Sequence, residues 1–161
     1  MFKQATPEQT KANRTRLEEY GLRNAGEIFH RMLKAVGLSP VNDVYLSNLI
    51  HCQPPGNRTP TTQECTKCQV ALKTEIELIK PKMIFAVGAT SSSFLLKRQV
   101  RITKEQGNIE DSPFGKVCPI VHPAYLMRIE GTSDGTKAKT EQLDAVKRAL
   151  ISIGYQFPIG K

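Results

Sequence analysis

The chain has 161 residues, with 23 Lys and Arg against 15 Asp and Glu, a formal charge of +8 and a sequence pI near 9.5. That length suits one domain with a real core rather than two, no apolar run approaches the ~18 residues that span a bilayer, and the first residues lack the apolar segment of a secretory signal. The basic balance points to a polyanionic partner, nucleic acid first, although basic surfaces also serve solubility.

Thr6-Pro7-Glu8-Gln9 reads as a capped helix start with proline at the first position, and a polar surface helix would run from there to Gly21. Asn24 to Glu27 repeats the capping pattern. Ile28, Phe29, Met32, Leu33 and Val36 then recur at helical spacing up to a stop at Gly37, with His30 off that stripe and facing solvent. Residues 44–50 carry the apolar pattern of a parallel strand buried on both faces. Asn48 and His51 stand at its carboxyl end, where ligands bind in open α/β sheets. Pro54, Pro55, Gly56, Asn57 and Pro60 forbid helix or sheet in the loop that follows.

Thr61 to Glu64 caps a third helix with Leu72, Ile76 and Ile79 toward the core and Pro81 beyond its end. Met83 to Val87 reads as a second buried strand. The hydroxyl-rich turn Gly88 to Ser93 is of the kind whose free N–H groups bind phosphate at a helix start, although ligand-free turns carry the same residues. Residues 97–116 are polar, a loop or short hairpin. Val117 to Val121 make a third strand leading into His122-Pro123-Ala124-Tyr125-Leu126-Met127-Arg128, 130–139 a polar linker, and 140–153 a last amphipathic helix using Leu143, Val146, Leu150 and Ile151. Strands alternating with helices predict an α/β fold, a three-layer αβα sandwich around a short parallel sheet. The whole chain reads as one domain, a polar helix over 1–21 and a core over 22–153.

Four stretches stand in a telling order: Asp43 to Asn48 with the Cys52–Pro60 loop, Cys68 in the next helix, Ile84 to Thr90, and His122 to Arg128. Together they resemble the family 4 uracil-DNA glycosylases, the iron–sulfur branch of that superfamily, over residues 22–153. The resemblance implies that Asn48 hydrogen-bonds the Watson–Crick edge of a flipped uracil. It implies that His122 stabilises the departing uracil anion and that Leu126 wedges into the base stack. Tyr125 and Arg128 would support or contact the backbone. Pro54, Pro55, Gly56, Asn57 and Arg58, with Gly88, Ala89, Thr90 and Ser91 and extending to Ser92, would grip the phosphates. On the residues alone each role has a plainer counterpart: Asn48 as a strand-end cap, His122 as a satisfied histidine before a turn, Leu126 as packed core, Arg58 as a solvated loop residue.

The pattern departs from the family in two places. The family's first apolar strand ends in a Gly-Glu-Ala-Pro-Gly type loop that helps position the attacking water, whereas Met1 to Glu8 here at best echo its end. The first central strand is therefore expected to be missing or reduced. Three outcomes would fill the gap: a Met1–Ala5 stub, direct closure of the neighbouring strands, or a strand from a partner chain. Where the family stacks a phenylalanine on uracil, Tyr20 lies one residue off the matching position.

Four cysteines without a secretory signal read as thiols or metal ligands in a cytoplasmic setting. The resemblance matches Cys52 and Cys68 to two ligands of a [4Fe–4S] cluster, and Cys65 makes a Cys-x-x-Cys with Cys68. The family's N-terminal pair is absent and Cys118 falls elsewhere, so the ligand set is incomplete and buried thiols are the plainer reading. Two functions remain open: a DNA glycosylase for uracil or a modified pyrimidine, or a non-catalytic DNA-binding or accessory domain of a viral replication or defence-evasion system.

Overall fold

A computed structural model describes residues 25–39 and 42–157, with the backbone alone at Asn57. The expected helix at 6–21, Tyr20 and the Met1–Ala5 stub lie outside the described residues.

Two short parallel strands divide the core into two layers. Strand β1 (Ile84–Val87) runs beside β3 (Gly115–Ile120), with Ile84 opposite Val117 and Val87 opposite Ile120. Strand β2 (Glu110–Ser112) pairs antiparallel with β3, so the order is β1-β3-β2 and the sheet is mixed rather than wholly parallel. Side chains alternate across a strand. Phe85, Val87, Cys118 and Ile120 pack with Met32, Leu33 and Val36 from α1 (Ala25–Ala35) and the turn after it, and with Val146, Ala149 and Leu150 of α6 (Ser133–Ser152). Ile84, Ala86 and Val117 pack on the other face with Leu72 of α2 (Thr62–Ile79), Leu95 of α3 (Ala89–Leu96) and Phe114. Helices cover both faces, giving the expected αβα layering. The short helices α4 (Ile102–Glu105) and α5 (Pro123–Arg128) complete the chain order.

Several boundaries follow from local chemistry. The Thr61 hydroxyl accepts from the Glu64 N–H at 3.2 Å while the Glu64 carboxylate accepts from the Thr61 N–H at 2.8 Å, closing the expected capping box. The expected polar linker over 130–139 is instead mostly helix, because Thr132 caps α6 by accepting from the Gly135 N–H at 3.0 Å. A Cβ at Gly135 would come 2.0 Å from the Ile129 carbonyl oxygen, so this glycine marks a close approach and not a loop. Ile79 and Ile151, expected in the core, are exposed: Ile151 lies about 100° round its helix from the buried Leu150, and Ile79 is the last residue of α2.

The strand expected over 44–50 does not form. A strand needs a neighbour to take its N–H and C=O groups, and among the described residues none pairs with this segment. It is held by side chains instead, Val44 against one core layer and Leu49 against the other, leaving Tyr45 and Leu46 each 56% exposed.

Candidate DNA-binding and base-excision site

Strands β1 and β3 end side by side, and each feeds a turn that carries expected site residues. At the end of β1 the Gly88 N–H donates to the Ile120 carbonyl at 2.8 Å, tying the two turns together. Gly88 caps α3 at φ +89°, a region that favours glycine, and a Cβ there would stand 3.4 Å from the Cβ of His122. The Gly88 turn and His122 are therefore neighbours at the carboxyl edge of the parallel pair. Ala89 and Thr90 face outward and Ser91 is half-buried. Ser92, expected to grip phosphate with them, is fully buried: its hydroxyl donates to the carbonyls of Gly88 at 2.8 Å and Ala86 at 3.2 Å, locking the turn from inside.

His122 is the N-cap of α5, where its Nδ1 accepts from the Ala124 N–H at 3.1 Å. A nitrogen that accepts cannot carry the proton, so the neutral ring bears its hydrogen on Nε2 as a donor. Partial burial, with the positive charge of Arg128 adding to it, pushes the imidazole pKa down and favours that neutral form. The folded value lies below the unfolded value of about 6.5, so this contribution to stability is intact above that pH and is lost as pH falls through the folded value. An NMR titration of His122 should give a midpoint below that of a free imidazole, and Arg128→Gln should move it upward. A midpoint at or above the free value would refute the assignment.

Gln142 was not singled out by the sequence. It lies fully buried on α6, its Nε2 donating to the Val121 carbonyl at 3.2 Å, one residue before His122. The signal was available, since Gln142 falls on the same helical stripe as the buried Ala145, Val146 and Ala149.

The remaining expected residues are placed as follows. Leu126 is 3% exposed and sits in the interior, Tyr125 is half-buried and Arg128 is exposed. A wedge must project toward the base stack, and Leu126 instead fills the core, as its plainer reading had it. Leu126→Ala should cost about 2–5 kcal/mol of stability through the cavity it leaves, measured by denaturant unfolding. A loss confined to activity on duplex DNA, with stability unchanged, would restore the wedge. Arg58 forms a two-pronged ion pair with Glu64 at 2.8 and 2.7 Å, which holds the Glu64 carboxyl at about 2. That guanidinium is engaged in bracing the Pro54–Pro60 loop against the start of α2, although two of its five donors suffice for the pair. Within the loop Pro55–Asn57 makes a single 3₁₀ turn. Asn48 is exposed, and among the described residues its side-chain amide makes no hydrogen bond, so both its donor and its acceptor face outward unspent.

The geometry so far defines an α/β protein whose two parallel strands end side by side, with a neutral imidazole donor beside a glycine turn at the carboxyl edge where open α/β sheets bind ligands. The chain belongs to the uracil DNA glycosylase superfamily, whose family model matches residues 8–148. A type-4 uracil-DNA glycosylase of Thermotoga maritima is 43% identical over 106 residues, covering 65% of this chain and 55% of the relative. One from Saccharolobus solfataricus is 39% identical over 137 residues, covering 80% of this chain and 62% of the relative. A DNA polymerase of Bacillus phage SP01 is 32% identical over 113 residues, covering 70% of this chain and 12% of the relative. The chain spans about half the length of the first two type-4 relatives it matches.

Among the described residues the thiols do not gather as the cluster that the resemblance implied would require. A [4Fe–4S] cluster is held by four cysteine thiolates. Cys52 is exposed, Cys65 is buried near the start of α2 with Cys68 half-buried three residues on, and Cys118 lies inside β3. Without a metal, burial with Cys68 nearby pushes the Cys65 thiol up, and burial pushes Cys118 up to about 11. Among the described residues no three His, Cys, Asp or Glu side chains gather as a metal site. Every cysteine of the sequence is among them.

Proposed function

We propose that this chain is a uracil-DNA glycosylase that binds DNA along the carboxyl edge of its sheet and cleaves the N-glycosidic bond of a flipped base, in the service of base-excision repair. The observation that carries this reading is His122, a neutral ring whose Nδ1 is occupied by the Ala124 N–H and whose Nε2–H is left to donate. As the C1′–N1 bond breaks, its electron pair stays on uracil and the sugar becomes oxocarbenium-like. A preset donor aimed at the developing charge stabilises that state without reorganising. Water then adds to C1′ and loses a proton, leaving an abasic sugar and free uracil. Asn48 supplies the donor and acceptor that match the uracil edge. No step draws on an iron–sulfur cluster.

The test is incubation with single- and double-stranded DNA containing uracil, followed by alkali. Strand cleavage at uracil is expected; DNA binding without cleavage would overturn the catalytic reading.

Phosphate contacts would come from the Pro54–Pro60 loop, the outward residues Ala89 and Thr90, and Arg128. Affinity should fall steeply with salt, because binding releases counterions from the duplex. A dissociation constant that does not change with salt, measured by fluorescence anisotropy, would exclude this interface. The same reading extends to the sheet. Among the described residues β1 is paired on one side alone, and its outer edge is where a partner chain would add a strand. Free thiols at four positions suit a cytoplasmic setting. Among the described residues no helix is long and apolar enough to cross a membrane.

A further inference from the structure

The segment that carries Asn48 has no ladder to hold it, yet a reading amide works only if placed to within about 0.5 Å. Its neighbours on either side converge on one carboxylate. The Ser47 hydroxyl donates to Glu75 Oε2, and His51 Nε2 lies 3.4 Å from Glu75 Oε1. Ser47 is the residue before Asn48 and His51 the third after it, so the two oxygens of one carboxyl group grip the loop on both shoulders of Asn48. Between them Leu49 packs on the core layer that Leu72 belongs to, and Leu72 stands one turn before Glu75 on α2. The side chains of His51 and Glu75 are 22% and 25% exposed, so the grip is largely shielded from solvent.

We infer that Glu75 is a positioning residue for Asn48: its carboxylate and the Leu49 anchor replace the missing strand pairing and fasten to α2 the loop that presents the base-reading amide. The inference rests on the glycosylase reading for what Asn48 does, but the grip itself does not. Serine, histidine and carboxylate together also suggest a nucleophile with its base. Here, however, the Ser47 hydroxyl donates to the carboxylate, which is the opposite of a base drawing on the serine through the imidazole.

The test uses the full chain and four variants: Glu75→Ala, Glu75→Gln, Ser47→Ala and Glu75→Ala with Ser47→Ala. Hydrogen–deuterium exchange reads the grip whether or not the chain is active. Single-turnover uracil release and the dissociation constant for the same DNA read its consequence. Glu75→Ala should speed exchange across 44–51 while α2 stays protected. It should slow uracil release by about 10- to 100-fold, the scale expected of a misplaced group, with DNA affinity unchanged. Glu75→Gln, whose amide oxygen still accepts from Ser47, should recover most of the rate. The double variant should lose no more than Glu75→Ala alone, as expected for partners in one interaction.

Unchanged exchange over 44–51 in both Glu75 variants would overturn the inference. So would rate losses that simply multiply, or a loss that appears in DNA affinity alone. An unsubstituted chain that releases no uracil, with exchange still rising in Glu75→Ala, would instead overturn the glycosylase reading and leave the grip standing.

Discussion

Uracil release by the His122→Ala chain should fall by about 100-fold or more, the cost of losing one preset donor at a developing anion, some 2.7–4 kcal/mol. DNA affinity should hold, since phosphates and not the leaving base supply most of it. The substitution also removes the N-cap of α5, which costs about 1 kcal/mol of stability. His122→Asn separates the two effects, because asparagine caps well but places its amide differently. If the loss of rate comes from the lost donor, both variants are slow and the asparagine chain keeps its stability. A His122→Ala chain with nearly the parent single-turnover rate would remove His122 from the chemistry.

Asn48→Ala should likewise cut the rate by about 100-fold, because the flipped base would lose two matched hydrogen bonds and leave its own edge unpaired. The two substitutions should differ in what else they disturb. Asn48 is exposed and bonded to nothing among the described residues, so its loss leaves no orphaned group and the melting temperature should not move. Single-turnover rates beside thermal unfolding check both halves. An equal rate on uracil for the parent and the Asn48→Ala chain would show that the base is read elsewhere.

Features specified by short-range chemistry were legible in the sequence. The stripe Met32, Leu33, Val36 buried as its spacing required, and Thr61 with Glu64 capped α2 as two side chains three residues apart can. β1 and β3 announced themselves as apolar runs closed by Gly88 and His122. Features that depend on a neighbour were not legible. Residues 44–50 have a strand's composition, but a ladder needs a second backbone that the segment itself does not encode. Leu126 illustrates the same limit from the other side, since a leucine four residues past a histidine can point out or in, and only the packed interior decides. Gly135 passed for a loop residue because its reason for being glycine is the Ile129 carbonyl, six residues away. Glu75 looked like any surface charge on a helix until the loop lay against it.

The turn locked by Ser92 and the carbonyl held by Gln142 have a consequence for heat and order. They stiffen the turn that carries His122, tying its opening to the unfolding of β3 and α6. The Asn48 side is fastened by side chains to one helix and can loosen while the sheet stays intact. A base read by both residues would meet one finished partner and one that settles as it arrives. The entropy lost on binding should therefore fall on the Asn48 segment, whose amides should slow their exchange most when DNA is bound.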